Sequence, residues 1–420
     1  MALDLLHLSS VVQRPLVDRE GDRIGRVQDV VARLGTDPHP VVVGIVVRIE
    51  GRDLFVPIRK IASLGGGRVQ FDGKRVDLRK FERREGEVLL SSDLLARHLI
   101  NFVRGRLITA NEIELAEVEG TWEVVGVDAG RRPLLRRILG GRLGSRVSTT
   151  SLVDFAQIEP FMGHVPTAKM RIPYRSLSKL HPAQIADLVE AASHEEGEEI
   201  IEAVGLDREL EADVFEELDT EHQVEFIDQR SNEDAARLLS RMAPDDAADL
   251  ISEVDQERRM PLLELMAEPQ QVKVRNLLSF PAESAGGLMS PDYAAVTATA
   301  TVLEALDAIR TSSAPIEALN VLFVLDEQGH LAGSVPVTKL VRSRPTDQVA
   351  DVMRSDPAHV HAHWDVHRMA RTMSDYNLTV VPVLDEEHGH VLGVVTVDDL
   401  LELLLPQGWR REFGMSVVEE

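Results

Sequence analysis

Two pairs of carboxylates carry the spacing of a divalent-cation site. Asp245 and Asp249 stand four residues apart behind Pro244, and Asp398 and Glu402 repeat that offset close to the C-terminus. Residues four apart on a helix share one face. Magnesium takes oxygen ligands, keeps several of its waters and uses one or two carboxylates per partner. Two acidic faces that repel when bare would therefore approach when cations bridge them. The same residues also suit a plainer role. Asp245 and Asp246 follow Pro244 in a first helical turn, where the helix dipole favours acids, and Asp398 serves equally well as a helix cap.

Charge is distributed in favour of cations. The 420-residue chain has a formal net charge of −24, with +7 in residues 1–180, −19 in 181–280 and −12 in 281–420. A middle segment this acidic repels itself unless cations screen or bridge it, and it disfavours nucleic acid as a partner. A third set of chemistry-bearing residues is the run AHVHAHWDVH, in which His359, His361 and His363 alternate. On a strand they would share one face and could hold zinc, but the expectation is an exposed edge strand leading into a helix. Catalysis finds no support: there is no GK[ST] phosphate loop, no G-x-S-x-G elbow and no H-E-x-x-H pair. The chain has no cysteine, which removes disulfides and thiolate chemistry together and fits a reducing compartment. The longest aliphatic run, Val41–Val47, is broken by Gly44 and falls far short of the ~20 residues of a membrane helix. MALDLLHLSS lacks the features of a signal peptide. The expectation is a cytoplasmic protein that is not an enzyme.

These residues must be positioned by at least three kinds of element. Residues 1–175 hold short β-branched runs such as VVVGIVVRI (41–49), DLFVPI (53–58) and GEVLLSS (86–92), and the arrangement is echoed at 104–128. Two related β units are expected, at 1–92 and 93–175. The second contains RRPLLRRILGGRLGSR (131–146), with six arginines and no acid. That segment suits either an anionic surface or a solvated helix packing Leu134, Leu135, Ile138 and Leu139 on the barrel. Residues 176–280 repeat every twelve positions, through Ala212/Val214/Phe215, Val224/Phe226/Ile227, Ala236/Leu238/Leu239, Ala248/Leu250/Ile251, Met260/Leu262/Leu263 and Val272/Val274. Twelve residues allow about two helical turns and a corner, which predicts an all-α superhelix with an apolar seam and acidic outer faces. Residues 281–405 double a β-α unit, TVLEALDAIR…NVLFVLDEQGHLAGSVPVTKL and DVHRMARTMSDYNLTVVPVLDEEHGHVLGVVTVDDL, and 406–420 form a tail.

The β units resemble PRC-barrel domains, and the doubled unit resembles a tandem pair of CBS domains. The junction FPAESAGGLMSPDY (280–293), with LSKLHPAQIADLVEA and MAPDDAADLISEV before it and NLTVVPVLDEE and GVVTVDDL after it, closely resembles the cytosolic part of MgtE-type magnesium channels. That resemblance covers about residues 175–405. The fold class it implies is multidomain α and β: small β-barrel units, an acidic helical superhelix, and a C-terminal α/β CBS pair. In that family the helical domain and the CBS pair close around several Mg²⁺ ions. The resemblance assigns metal-facing roles to Asp245, Asp249, Asp398, Asp399 and Glu402. It also assigns one to Asp365, with His367 standing where a second acid is expected. CBS repeats also bind adenosine phosphates through a Thr/Ser-x-x-Asp motif. The second repeat has it as Thr396 and Asp399, whereas the first has Pro336 and Lys339 at the equivalent positions.

The expected function is a Mg²⁺-responsive regulator whose clamp is closed by cations. After Leu405 only PQGWRREFGMSVVEE follows, so the expectation is a sensor that acts on a separate protein partner, free in the cytoplasm or peripheral to a membrane. The resemblance implies a homodimer through the CBS pair. Two rivals stand beside this reading: an adenine-nucleotide sensor that takes ATP at the CBS cleft, and a barrel scaffold docked to a membrane or ribosomal partner.

Overall fold

The computed structural model describes residues 5–35, 37–73, 79–130, 152–164 and 176–405. The basic segment 131–146 and the tail 406–420 lie outside the described residues. The chain divides into two compact units, one up to Leu218 and one from Asp219.

The first unit opens with a curled β structure. Its strands are β1 (Leu6–His7), β2 (Pro15–Val17), β3 (Arg23–Arg33), β4 (Val41–Ile49), β5 (Arg52–Pro57), β6 (Ile61–Ser63), β7 (Val69–Phe71), β8 (Glu87–Leu89), β9 (His98–Asn101), β10 (Arg106–Thr109), β11 (Glu112–Val118), β12 (Thr121–Asp128), β13 (Leu152–Asp154) and β14 (Ile158–Pro160). Eleven of them join in one sheet, ordered β1-β11-β12-β4-β3-β2-β7-β6 with β13, β5 and β8 attached, while β10-β9-β14 form a second. Strands from 1–92 and 93–175 thus share a sheet, and one apolar core runs from Leu8 to Ile158. The β-branched runs of β3 and β4 supply much of it: Val27, Val30, Val42, Ile45 and Val47 are wholly buried. Register shifts in β3 at Val27/Asp29 and Val31/Ala32 bend the long strand.

Among the described residues, three α-helices complete this unit: α1 (Pro182–Ala191), α2 (His194–Val204) and α3 (Arg208–Glu216). α1 packs on β10 and on α3. The second unit continues the helices with α4 (Thr220–Asp228), α5 (Asn232–Leu239), α6 (Pro244–Glu253), α7 (Gln256–Leu265) and α8 (Glu268–Leu277). From α3 onward each helix starts twelve residues after the last. The corners carry their start signals: Asp207, Asp219 and Ser231 cap α3, α4 and α5 with their side chains, and Pro244 opens α6. α4 packs on α6, α5 on α7 and α6 on α8. The seam is the periodic apolar set, with one revision. Phe226, Ile227, Leu238, Leu239, Leu250, Ile251, Leu262 and Leu263 are buried, but the first member of each set leaves the core late in the series, at Met260 and Val272.

The rest of the second unit is two α/β repeats. The first contains β15 (Ala295–Thr297), α9 (Val302–Thr311), β16 (Val321–Leu325), β17 (Leu331–Pro336) and α10 (Val337–Arg342). After α11 (Val349–Val352) and β18 (Arg354–Ser355), the second contains β19 (Val360–His361), α12 (Val366–Tyr376), β20 (Val380–Leu384), β21 (Val391–Thr396) and α13 (Val397–Leu404). In each, a parallel strand precedes an antiparallel hairpin. The repeats exchange their leading segments. β18, which opens the second repeat, pairs with β17 of the first, while Ser290, in the leading segment of the first repeat, pairs with Val394 of the second. Glycine is needed at these crossings. A β-carbon at position 393 would lie 2.5 Å from the Ser290 carbonyl oxygen and 3.0 Å from Met289. A shared cluster of Ala314, Ala318, Phe323, Val380 and Val394 closes the pair.

Candidate cation and nucleotide site

The fold places Asp249 and Asp398 on exposed positions of their helices. On α6, Leu250 and Ile251 are buried, Asp245 is half-buried and Asp249 is exposed. Ala243 provides no side-chain cap, so the first turn relies on Pro244 and on the acids Asp245 and Asp246. The junction fixes the end of the superhelix against the repeats: Lys273 on α8 meets Asp292 at 2.6 Å, and the Ala285 and Gly286 amides donate to the Trp364 and Ala362 carbonyls.

α13 begins on a reciprocal cap. The Thr396 amide donates to Asp399 Oδ2 at 2.9 Å, and the Asp399 amide donates to Thr396 Oγ1 at 3.4 Å. Burial raises the pKa of Asp399. Hydrogen bonds from Thr396 pull the other way, while Asp398 and Glu317 add to the rise. Asp398 is exposed. Glu402 lies on the same helix, and its side chain is outside the described residues. Asp365 is exposed and caps α12, accepting from the Arg368 amide at 2.9 Å. Asp365 and Asp399 therefore each give a carboxylate oxygen to a helix start, and the cap expected of Asp398 falls instead to Thr396 with Asp399. His367 is exposed on the first turn of α12.

The acids are not gathered into a cluster. Among the described residues, the one set of three His, Asp or Glu with ligand atoms mutually within 4.8 Å is Asp18, Glu20 and Asp22 in the β2–β3 turn. The three alternating histidines do not converge either. β19 is only two residues long, so alternation ends at His361. His359 and His361 meet edge to face at 5.5 Å, His361 lies near Trp364, and His363 turns to Phe280.

The first repeat lacks the counterpart of the α13 cap. Pro336 precedes α10 without a side-chain cap, and α10 has six residues where α13 has eight. Lys339 and Arg342 line an open depression there with Pro336, Thr338 and Ser343.

Sequence reading missed a polar contact between the β structure and the helices. Glu196 on α2 is buried, with His98 of β9 at 3.1 Å and His164 at 3.6 Å. Burial works against the ionised carboxylate, but hydrogen bonds from Ser193 and His98 prevail and hold its pKa down. The partners are far apart in sequence, and no local motif joins them.

Amphipathic helices leading into a reciprocal pair of α/β repeats define a class of regulatory domains. Family models match three stretches: the MgtE intracellular N domain over 180–283, the CBS domain over 285–345 and 349–406, and the PRC-barrel domain over 4–78. The chain belongs to the family in which an MgtE intracellular N domain is followed by a CBS-domain pair, here behind a PRC-barrel domain. It is 37% identical over 143 residues to the magnesium transporter MgtE of Thermus thermophilus, covering 34% of this chain and 32% of that protein. With the MgtE of Enterococcus faecalis it is 29% identical over 147 residues, 35% of this chain and 32% of that protein. The chain thus spans about a third of the length of these relatives. The crystal structure of the cytosolic domain of the Mg²⁺ channel MgtE in complex with ATP matches 54% of this chain and 92% of its own, at 31% identity and a TM-score of 0.51. The soluble part of a magnesium transporter matches at 24% identity and a TM-score of 0.50, covering 55% and 89%. Among the described residues, no helix is long and apolar enough to cross a membrane.

Proposed function

We propose that the chain is a Mg²⁺-responsive regulator without catalytic activity, in which divalent cations draw the acidic face of α6 towards the acids of α13. The observation that carries this reading is the placement of Asp249 and Asp398, both exposed on helices of the unit that joins the superhelix to the CBS pair. The donors fit magnesium: they are hard carboxylate oxygens on wet faces, where the ion keeps part of its water. Asp245, Asp365, Asp399 and Glu402 complete the proposed set.

Magnitudes favour a cation-gated closure. Two carboxylates at about 4 Å repel by about 4 kcal/mol at an effective dielectric of ~20. Moving an open–closed equilibrium from 1:99 to 99:1 takes about 5.5 kcal/mol. Relieving one or two such contacts is of that order, so Mg²⁺ acts to the extent that it binds the closed arrangement better. The protein is proposed to work in the cytoplasm, free or peripheral to a membrane. It would do so as a homodimer through the CBS pair, with its output on a separate protein.

Small-angle scattering tests the reading. Compaction of the metal-free protein on adding Mg²⁺ at fixed ionic strength, lost in Asp249→Ala/Asp398→Ala, supports it, and an unchanged profile contradicts it. The Thr396–Asp399 cap favours a second reading, in which an adenine nucleotide occupies the second repeat, and a relative has been crystallised with ATP. A response to ATP alone would transfer the weight there.

A further inference from the structure

The hairpin tips of the two CBS repeats meet through their histidines. His330 follows β16 in the sequence DEQGH, and His390 follows β20 in DEEHGH, at equivalent places in the repeat. Their backbones form an isolated antiparallel bridge, and their rings stack at 4.7 Å with 29° between planes. Both are half-exposed and neither supports a core. Asp326 Oδ2 holds His330 Nδ1 at 3.0 Å, the carboxylate–imidazole arrangement that orients a metal-binding histidine and leaves Nε2 for the ion. Gly329 makes room for the partner ring, since a β-carbon there would lie 3.3 Å from His390 Nδ1. His388, exposed on the same turn, has its ring 6.0 Å from that of His390.

We propose that these tips form a zinc-class binding site, with the His330 and His390 imidazoles as ligands, His388 as the third and Asp326 orienting His330. Imidazole nitrogen suits zinc and its neighbours, whereas magnesium takes oxygen. Zinc–nitrogen bonds of about 2.0–2.1 Å at a tetrahedral centre put ligand atoms roughly 3.3 Å apart. As placed, the ligand atoms of the three histidines do not all lie within 4.8 Å of one another, so these solvent-accessible side chains must turn towards a common point to close the site, while the backbone bridge keeps the bases of His330 and His390 together. A bound ion would tie one repeat to the other at a point independent of the acids of α6 and α13, so this inference stands or falls apart from the magnesium reading.

The test is calorimetric titration of the untagged full chain with Zn²⁺ in saturating Mg²⁺. One ion per chain is expected, with affinity at least tenfold weaker in His330→Ala/His390→Ala and about tenfold weaker in Asp326→Asn. His359→Ala/His361→Ala/His363→Ala should bind as the wild type does. Absence of zinc binding, full binding by the His330→Ala/His390→Ala variant, or loss confined to the 359–363 variant each overturns the assignment. Should the double variant fail to fold, X-ray absorption of zinc on the wild-type chain decides: an imidazole shell supports the site, and an all-oxygen shell refutes it.

Discussion

Ser290 and Val394 exchange both backbone hydrogen bonds, at 2.8 and 2.9 Å, although Ser290 lies in the leading segment of the first CBS repeat and Val394 lies within the second. The chain that leaves the superhelix is thus an added strand on the distal repeat, and Gly393 is what lets it approach. Gly393→Ala is expected to cost about 1–3 kcal/mol through the clash with Ser290 and Met289. Hydrogen exchange reads it directly, with faster exchange of the Ser290 and Val394 amides.

Asp399 predicts a pH dependence. Its pKa is raised chiefly by burial, so the folded state holds its proton more tightly than the unfolded state does. That contribution is complete below the unfolded value and is lost as pH rises through the folded one. The stability of the wild type relative to Asp399→Asn should therefore grow as pH is lowered through the carboxylate range. Paired thermal unfolding curves check this, and a difference that shrinks on acidification would contradict it.

Glu196 predicts the opposite sign. Its depressed pKa makes its contribution present above the unfolded value and lost as pH falls through the folded one. Glu196→Ala leaves His98 and His164 without their shared carboxylate and should cost about 1–3 kcal/mol. The expected signature is increased proteolytic sensitivity and amide exchange across His194–Val204.

Much of this was legible because it is local. A period of twelve fixed the helix starts from Arg208 to Glu268, and the doubled LDE turn marked the two hairpins. Met260 and Val272 keep the twelve-residue period, yet both are about half exposed, so periodicity alone did not distinguish the seam from the surface there. The exchange of Met289–Ser290 and β18 between repeats, and the junction of Glu196 with His98 and His164, are long-range pairings that composition does not encode. The histidine run does not converge, because alternation shares a face only while a strand lasts and β19 stops at His361. Asp245, Asp249, Asp398 and Glu402 were visible as helix-face spacing, whereas Asp365 and Asp399 came only from the family resemblance, and each also gives a carboxylate oxygen to its helix start.

The unequal repeats give the nucleotide reading a test of its own. Lys339 and Pro336 stand where the second repeat has Asp399 and Thr396. Lys339→Asp/Pro336→Thr should rebuild a hydroxyl and an acid at the start of α10 and strengthen ATP binding by tenfold or more, measured by equilibrium titration. Unchanged affinity would show that the first repeat is not a lapsed nucleotide half-site.

The central claim is that Mg²⁺ brings α6 and α13 together, and a distance measurement tests it most directly. The chain contains no cysteine, so spin labels at Glu253→Cys and Leu401→Cys report on these two helices alone. The account predicts a shorter, narrower distance distribution as Mg²⁺ is raised into the millimolar range, and no change in the same pair carrying Asp249→Ala/Asp398→Ala. An identical distribution with and without Mg²⁺ in the parent chain would contradict it.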